Sequence, residues 1–382
     1  VRSHTAPIRD ICTAADGLLM ATAGGHDGTI RVWHLQLLQT ALTLDCPKCT
    51  SIAFPQPCIS PMAMASTDRS ATGSTNHVHM HILASGSSRG ALTFFDLNQV
   101  VPAQAGLLGD RVASRRVQAH KSSIACMDYI ACSATATSVA RVLLVSGSVT
   151  GNVCVTSPNQ DDGLTMVLDS PHAGSPIEAV AVCPHDPSTW LVASRNSGIS
   201  VWKCDASTVE ANGDGDDGNS NASSGIKCEQ LSYTLLRNLV DDDAEEWASA
   251  SLSSARGTIA QKCPTLACFS PCESSVILCT TAAHPFAVLF YNYSVKSVVR
   301  TVRLPQWQWA TSLSATVGGD QRPLIAAGLR SGRLAVIDYR TGETTCGDEA
   351  LQGTPVGSLA FCAPSSVLCA ASNNVVHVWQ TK

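Results

Sequence analysis

Leu18-Leu-Met-Ala-Thr-Ala-Gly24, then Asp27-Gly28, then Thr29-Ile-Arg-Val-Trp33 is an apolar strand ending in small residues, a tight turn, and a second strand closing on an aromatic. Six more stretches repeat it. They are ILASGSS (82–88) with Arg89-Gly90 and ALTFFD (91–96), VLLVSGS (142–148) with Thr150-Gly151 and NVCVT (152–156), and WLVASRN (190–196) with Ser197-Gly198 and ISVW (199–202). Later copies are VILCTTA (276–282) with His284-Pro285 and VLFY (288–291), LIAAGLR (324–330) with Ser331-Gly332 and RLAVID (333–338), and VLCAASN (367–373) with Asn374 and VHVW (376–379). Five of the seven turns place Gly where a hairpin needs positive φ, and Asn373-Asn374 supplies the next best chemistry.

An apolar strand precedes each copy, from PIRDICT (7–13) to VGSLAF (356–361), and room for a fourth follows most closing residues, as in LLQTALTL (37–44). Four short strands per unit is the composition of a propeller blade. One blade cannot bury both of its faces, so the copies are expected to pack radially as one all-β domain spanning 1–382, a seven-bladed β-propeller of antiparallel strands.

The closing positions fall at 33, 95, 156, 202, 291, 337 and 379. A blade needs about 40–45 residues, so the longer gaps locate loop insertions at 55–80 and 100–117 and a larger one within 205–256. The last contains EANGDGDDGNSNASSG and DDDAEEW, too polar to build a core and expected to be disordered; CEQLSYTLL (228–236) between them suits the fourth strand of blade 4. From 205 to 246 eleven acids face Lys227 and Arg237, a net of −9 in a chain whose total is −5, so the rest carries +4. That is not the dense basic face of a nucleic-acid binder. Arg111, Arg115 and Arg116 form the one basic cluster, read either as a solvated loop or as a contact for an acidic partner or phosphoinositide.

Seventeen cysteines, mostly inside apolar strands, read as buried free thiols in a reducing, cytoplasmic setting. Cys46-Pro-Lys-Cys49 is the single CxxC, and His77, His79 and His81 could complete a zinc set. No second cysteine pair lies near, and HVHMH also reads as a polar strand face, so no metal is expected. No Walker-type or HExxH motif occurs and no GxGxxG follows a strand, so no catalytic residue, cofactor or small-molecule substrate is expected. No run approaches a membrane span. The chain begins with Val1 rather than Met and is read as a piece of something longer.

These copies resemble WD repeats, the family typified by G-protein β subunits. His4, Thr22, Asp27 and Trp33 match the His–Ser/Thr–Asp–Trp tetrad that locks a blade in that family. Elsewhere it decays: Thr156 stands for the Trp in blade 3 and Ser197 for the Asp in blade 4. The resemblance implies a non-enzymatic scaffold binding other protein subunits, with the last blade latched by a strand from upstream of Val1. A narrower resemblance is to the C-terminal propeller of the regulatory, kinase-like subunit of the class III phosphatidylinositol 3-kinase complex. It implies a role in membrane traffic or phosphoinositide signalling, with peripheral association with endosomal or other internal membranes through the complex. Propellers of other vesicle-traffic or BEACH-type proteins share the pattern, and a ligand-binding or enzymatic propeller is the alternative from another class. Trp307 and Trp309 are expected to share a face and form an exposed patch.

Overall fold

A computed structural model describes residues 4–55, 81–97, 112, 114–132, 141–158, 165–206, 226–235, 263–305, 308–317, 322–347, 353–362 and 366–380. Blade 1 comprises β1 (Ile8–Thr13), β2 (Leu19–Gly24), β3 (Thr29–His34) and β4 (Gln39–Asp45). Blade 2 has β5 (Cys49–Ala53), β6 (Ile82–Ser87), β7 (Ala91–Asp96) and β8 (Ser114–Gln118), and blade 3 has β9 (Ile124–Cys132), β10 (Arg141–Ser148), β11 (Val153–Thr156) and β12 (Thr165–Leu168). Blade 4 is β13 (Ile177–Val182), β14 (Thr189–Ser194), β15 (Gly198–Ala206) and β16 (Ile226–Leu235). In blade 5, β17 (Leu266–Phe269), β18 (Val276–Thr280), β19 (Ala287–Asn292) and β20 (Ser297–Arg303) follow. Blade 6 holds β21 (Ala310–Val317), β22 (Pro323–Leu329), β23 (Leu334–Asp338) and β24 (Thr344–Gly347); blade 7 holds β25 (Ser358–Cys362), β26 (Val367–Ser372) and β27 (Val375–Gln380).

Every sheet is an antiparallel meander, and each innermost strand touches the next, with β25 returning to β1. The protein is a seven-bladed β-propeller. Six sheets have four strands and blade 7 has three among the described residues, so β27 is its outer edge. No helix of the described residues is long and apolar enough to cross a membrane.

The second strands explain why the ring is stable. All six residues of β2 and of β14 and all five of β18 are buried, because both faces of a blade are covered by neighbours. On one side blade 1 packs Leu19, Ala21 and Val32 against Phe54, Leu83 and Phe95 of blade 2. On the other, Ile11, Met20 and Trp33 meet Cys362, Cys369 and Val376 of blade 7. Outer strands alternate, since only one of their faces is covered; β4 reads Thr40 exposed, Ala41 half-buried, Leu42 buried, Thr43 exposed and Leu44 buried.

The turns follow their chemistry. Gly28, Gly90, Gly151 and Gly332 have φ of 72°, 79°, 88° and 84°, and Asn373 takes 52°. At Gly90 and Gly151 the need is also steric, because a Cβ would stand 2.1 Å from the His120 carbonyl oxygen and 2.0 Å from that of His172.

The second predicted insertion was too long. Residues 114–118, the first four of them counted inside 100–117, pair with β7 as the outer strand of blade 2. Ser-Arg-Arg-Val-Gln carries one apolar residue, which hides a strand covered on one face alone. The fourth strand predicted for blade 4 is β16, and the acidic stretches around it lie outside the described residues, as do 56–80 of the first insertion.

Candidate functional site

The chain entering blade 1 buries His4 between two partners. Its Nδ1 lies 2.6 Å from Asp27 Oδ2 and its Nε2 lies 2.9 Å from Thr22 Oγ1. The buried Trp33 Nε1–H donates to the same Thr22 oxygen at 3.0 Å. One assignment of hydrogens satisfies each atom: Trp33 donates to Thr22, Thr22 donates to His4 Nε2, and His4 Nδ1–H donates to Asp27. Burial opposes ionisation of Asp27, yet hydrogen bonds from the Thr29 amide and His4 hold its carboxyl below the usual carboxylate value. The four residues thus tie the entry segment, β2, the turn and β3 together.

Three other blades keep the device with altered parts. In blade 4 His172 Nδ1 sits 2.6 Å from Ser197 Oγ and Nε2 sits 2.7 Å from Ser200 Oγ, which accepts from Trp202 Nε1 at 2.8 Å. The hydroxyl has moved from the second strand to the third. Blade 3 retains His120 Nε2 at 2.8 Å from Ser146 Oγ, but Thr156 leaves no indole to join it. Burial pushes both His120 and His172 down to about 4, so both are neutral near pH 7.

In blade 2 the histidine's place belongs to Cys46. The Cys46 amide donates to Gly28 O just as the His120 amide donates to Gly90 O, and Cys46 Sγ lies 3.3 Å from Ser85 Oγ. The CxxC is therefore part of a blade lock. His81 bonds Asp16 Oδ2 at 2.7 Å, while His77 and His79 lie outside the described residues. Among the described residues no group of three His, Cys, Asp or Glu side chains is placed to hold a metal.

The innermost strands enclose a channel of about 930 Å³. Three acids line it, and each is spent on a neighbouring blade. Asp10 accepts from Ile11 N (2.9 Å), Ser51 Oγ (2.8 Å), Ile52 N (2.9 Å) and Ser358 Oγ (2.9 Å), so one carboxylate joins blades 7, 1 and 2. Burial raises its pKa despite these donors. Asp128 accepts from Tyr129 N at 2.8 Å and from Val182 N of blade 4 at 3.0 Å. Glu178 accepts from Thr265 N of blade 5 at 2.7 Å and pairs with Arg195. The channel thiols of Cys12, Cys126 and Cys268 are all pushed up by burial, which removes them as thiolate nucleophiles near neutral pH.

Of the residues expected to form an interaction patch, Trp309, Arg115 and Arg116 are described, the first at blade 6 and the other two in blade 2. Trp309 is half-buried at the entry to blade 6, with the Arg330 guanidinium carbon 4.6 Å above its ring. Arg115 and Arg116 are successive residues of β8 in blade 2, so the pleat sends them to opposite faces. Arg115 reaches the Ser157 carbonyl of blade 3 at 2.9 Å, whereas Arg116 acts on Cys46 from the blade 1 side. Trp307 and Arg111 lie outside the described residues. What the sequence reading missed is a rim of aliphatics: Val167, Leu231 and Val299 are exposed on the outer strands of blades 3, 4 and 5. Their signal was available in principle, as an apolar residue at an outward position of an outer strand.

A model of the WD domain, G-beta repeat, matches residues 1–34. Over 99% of its length the chain is 24% identical to WD repeat-containing protein 90 of Xenopus tropicalis, covering 17% of that protein. It is 23% identical to the Homo sapiens protein of that name over all of its length, covering 18% of the relative, and 21% identical to that of Mus musculus, covering 17%. The chain thus spans less than a fifth of the relatives it matches. These likenesses support a WD-repeat propeller; they give no support to the narrower kinship with a phosphatidylinositol 3-kinase subunit.

Proposed function

We propose that this chain is a non-catalytic platform on which other protein subunits assemble, working as one part of a larger protein. The observation that carries the reading is the division of labour between channel and rim. The channel acids Asp10, Asp128 and Glu178 are taken up by hydrogen bonds to neighbouring blades, while aliphatic side chains stand exposed on outer strands. Catalysis needs polar groups free to touch a substrate, and association needs apolar surface free to be covered. The WD-repeat likeness favours the same side.

The test compares capture by the purified chain with capture by a Val167→Glu/Leu231→Glu/Val299→Glu variant of equal melting temperature, using quantitative mass spectrometry. A partner set lost on the variant supports the platform. Turnover of a small molecule that disappears with Asp128→Asn would favour an enzymatic propeller instead. A cytoplasmic setting accords with sixteen described cysteines, none of them in a disulfide. Peripheral attachment to internal membranes, and a part in membrane traffic or phosphoinositide signalling, rest on the sequence resemblance alone. Flotation with vesicles containing or lacking phosphatidylinositol 3-phosphate tests them.

A further inference from the structure

Three thiols from three strands meet where blade 3 packs on blade 4. Cys132 closes β9, Cys204 lies late in β15, and Cys228 stands opposite Cys204 in the β15–β16 register. The sulfurs of Cys132 and Cys204 are 2.8 Å apart and those of Cys204 and Cys228 3.6 Å apart. Cys132 and Cys204 have no exposed surface, whereas Cys228 is half-buried on the outer strand. Around them lie Leu143, Trp190, Trp202 and Ile226, with the Asp205 carboxylate close enough to act on Cys228.

The spacing argues for sulfur–sulfur chemistry rather than a metal. Two thiolates on one tetrahedral zinc, at Zn–S of about 2.3 Å, stand about 3.8 Å apart, well beyond the 2.8 Å between Cys132 and Cys204. A disulfide of about 2.05 Å is a short closure from that position. Cys204 and Cys228 are less suited to remain bonded, because directly opposed residues of an antiparallel pair hold their Cβ atoms about 4.5–5.5 Å apart, against about 3.8 Å in a disulfide.

We propose that Cys132, Cys204 and Cys228 form an oxidative modification site: a hydroperoxide is reduced at Cys228, and the oxidation is passed inward to a Cys132–Cys204 disulfide that joins blades 3 and 4. With hydrogen peroxide, the Cys228 thiolate attacks one oxygen and the O–O bond breaks. The departing hydroxide takes a proton to become water, and Cys228 is left as a sulfenic acid. Cys204, whose thiol is pushed up by its two sulfur neighbours and by burial, attacks that sulfur only as its proton passes to the departing hydroxide; an S–S bond replaces S–O and the second hydroxide leaves as water. Cys132 then attacks the Cys204 sulfur, and Cys228 departs with the Cys132 proton as a free thiol. Two thiols are oxidised and one peroxide becomes two waters. The Cys204 thiol hydrogen bond lowers the Cys228 pKa, which favours the thiolate at the entry position.

The test treats the reduced, purified chain with one equivalent of hydrogen peroxide, blocks remaining thiols, and maps linkages by non-reducing peptide mass spectrometry. The expected product is a Cys132–Cys204 peptide with Cys228 still alkylatable, reversed by dithiothreitol. Cys228→Ser should slow its formation at least tenfold without altering the melting temperature. Cys132→Ala should halt the relay at Cys228, as a sulfenic acid trapped by dimedone or as a Cys204–Cys228 link. Oxidation confined to the exposed Cys272 or to Cys46 and Cys49 would overturn the proposal. So would wild-type kinetics in Cys228→Ser, or absence of both trapped species in Cys132→Ala.

Discussion

Acid should loosen this propeller through two histidines before its carboxylates titrate in number. His120 and His172 are held at about 4 by burial, against about 6.5 in an unfolded chain. A depressed histidine is bound by protons more readily when unfolded, so its share of stability is complete above pH 6.5 and is lost as pH falls toward 4. At pH 5 an unfolded histidine is almost fully protonated and a folded one about one-tenth so, so each binds about 0.9 proton on unfolding. That corresponds to about 1.2 kcal/mol per pH unit per residue, and integration from pH 7 to 5 gives about 1.8 kcal/mol for each. Urea unfolding followed by tryptophan fluorescence at half-unit pH steps reads this slope directly. His172→Gln lowers stability at every pH, since Ser197 and Ser200 lose their partner, but its diagnostic effect is on the slope. Every other titrating group is common to both proteins, so the slope difference isolates His172. Equal slopes between pH 6 and 5 for the wild type and His172→Gln would refute the reasoning.

Trp33→Ala should cost about 3–5 kcal/mol, as for other buried large aromatics. Asp27→Ala should cost less, and the double variant should fall short of the sum because both act on His4 and Thr22; additive denaturation midpoints would separate them. Gly151 and Gly174 share a left-handed backbone, at φ 88° and 80°, but a Cβ would meet the His172 carbonyl oxygen at 2.0 Å in the first and nothing within 4 Å in the second. Gly174→Ala should therefore cost about 1–2 kcal/mol and Gly151→Ala at least about 2 kcal/mol more, a ranking that equal melting temperatures would reverse.

The repeat was legible because a second strand buried on both faces must be apolar throughout, and Leu18 to Gly24 could hardly be anything else. Outer strands carry a weaker rule, and β8, with Val117 as its one apolar residue, was counted as loop. In blade 1 the tetrad could be read from residue identity at fixed spacing. In blade 4 Ser197 was recognised but His172 and Ser200 were not. A hydroxyl moved to the neighbouring strand performs the same bond from a sequence position no spacing rule anticipates. Cys46 failed for a different reason: CxxC suggests a metal, and only the shared backbone bond to the preceding turn reveals it in a histidine's place. The three-thiol cluster joins residues 72 positions apart and left no local trace.

The seam between blades 7 and 1 has a consequence in time. Ser358 Oγ meets Asp10, and Thr13 Oγ1 meets the Phe361 carbonyl, across 348 positions of sequence. Other blade boundaries join neighbours in the chain, as at Thr50 and Ile124, 74 positions apart. On the logarithmic law for flexible loops, closing 348 residues instead of 74 costs about 1.4 kcal/mol more. During synthesis, blades 1 to 6 can stack in order, but Ile11, Met20 and Trp33 stay uncovered on one side until the last sheet emerges. The nascent ring therefore carries a sticky flank for most of its translation, and its final docking step is the moment a chaperone would have most to shield.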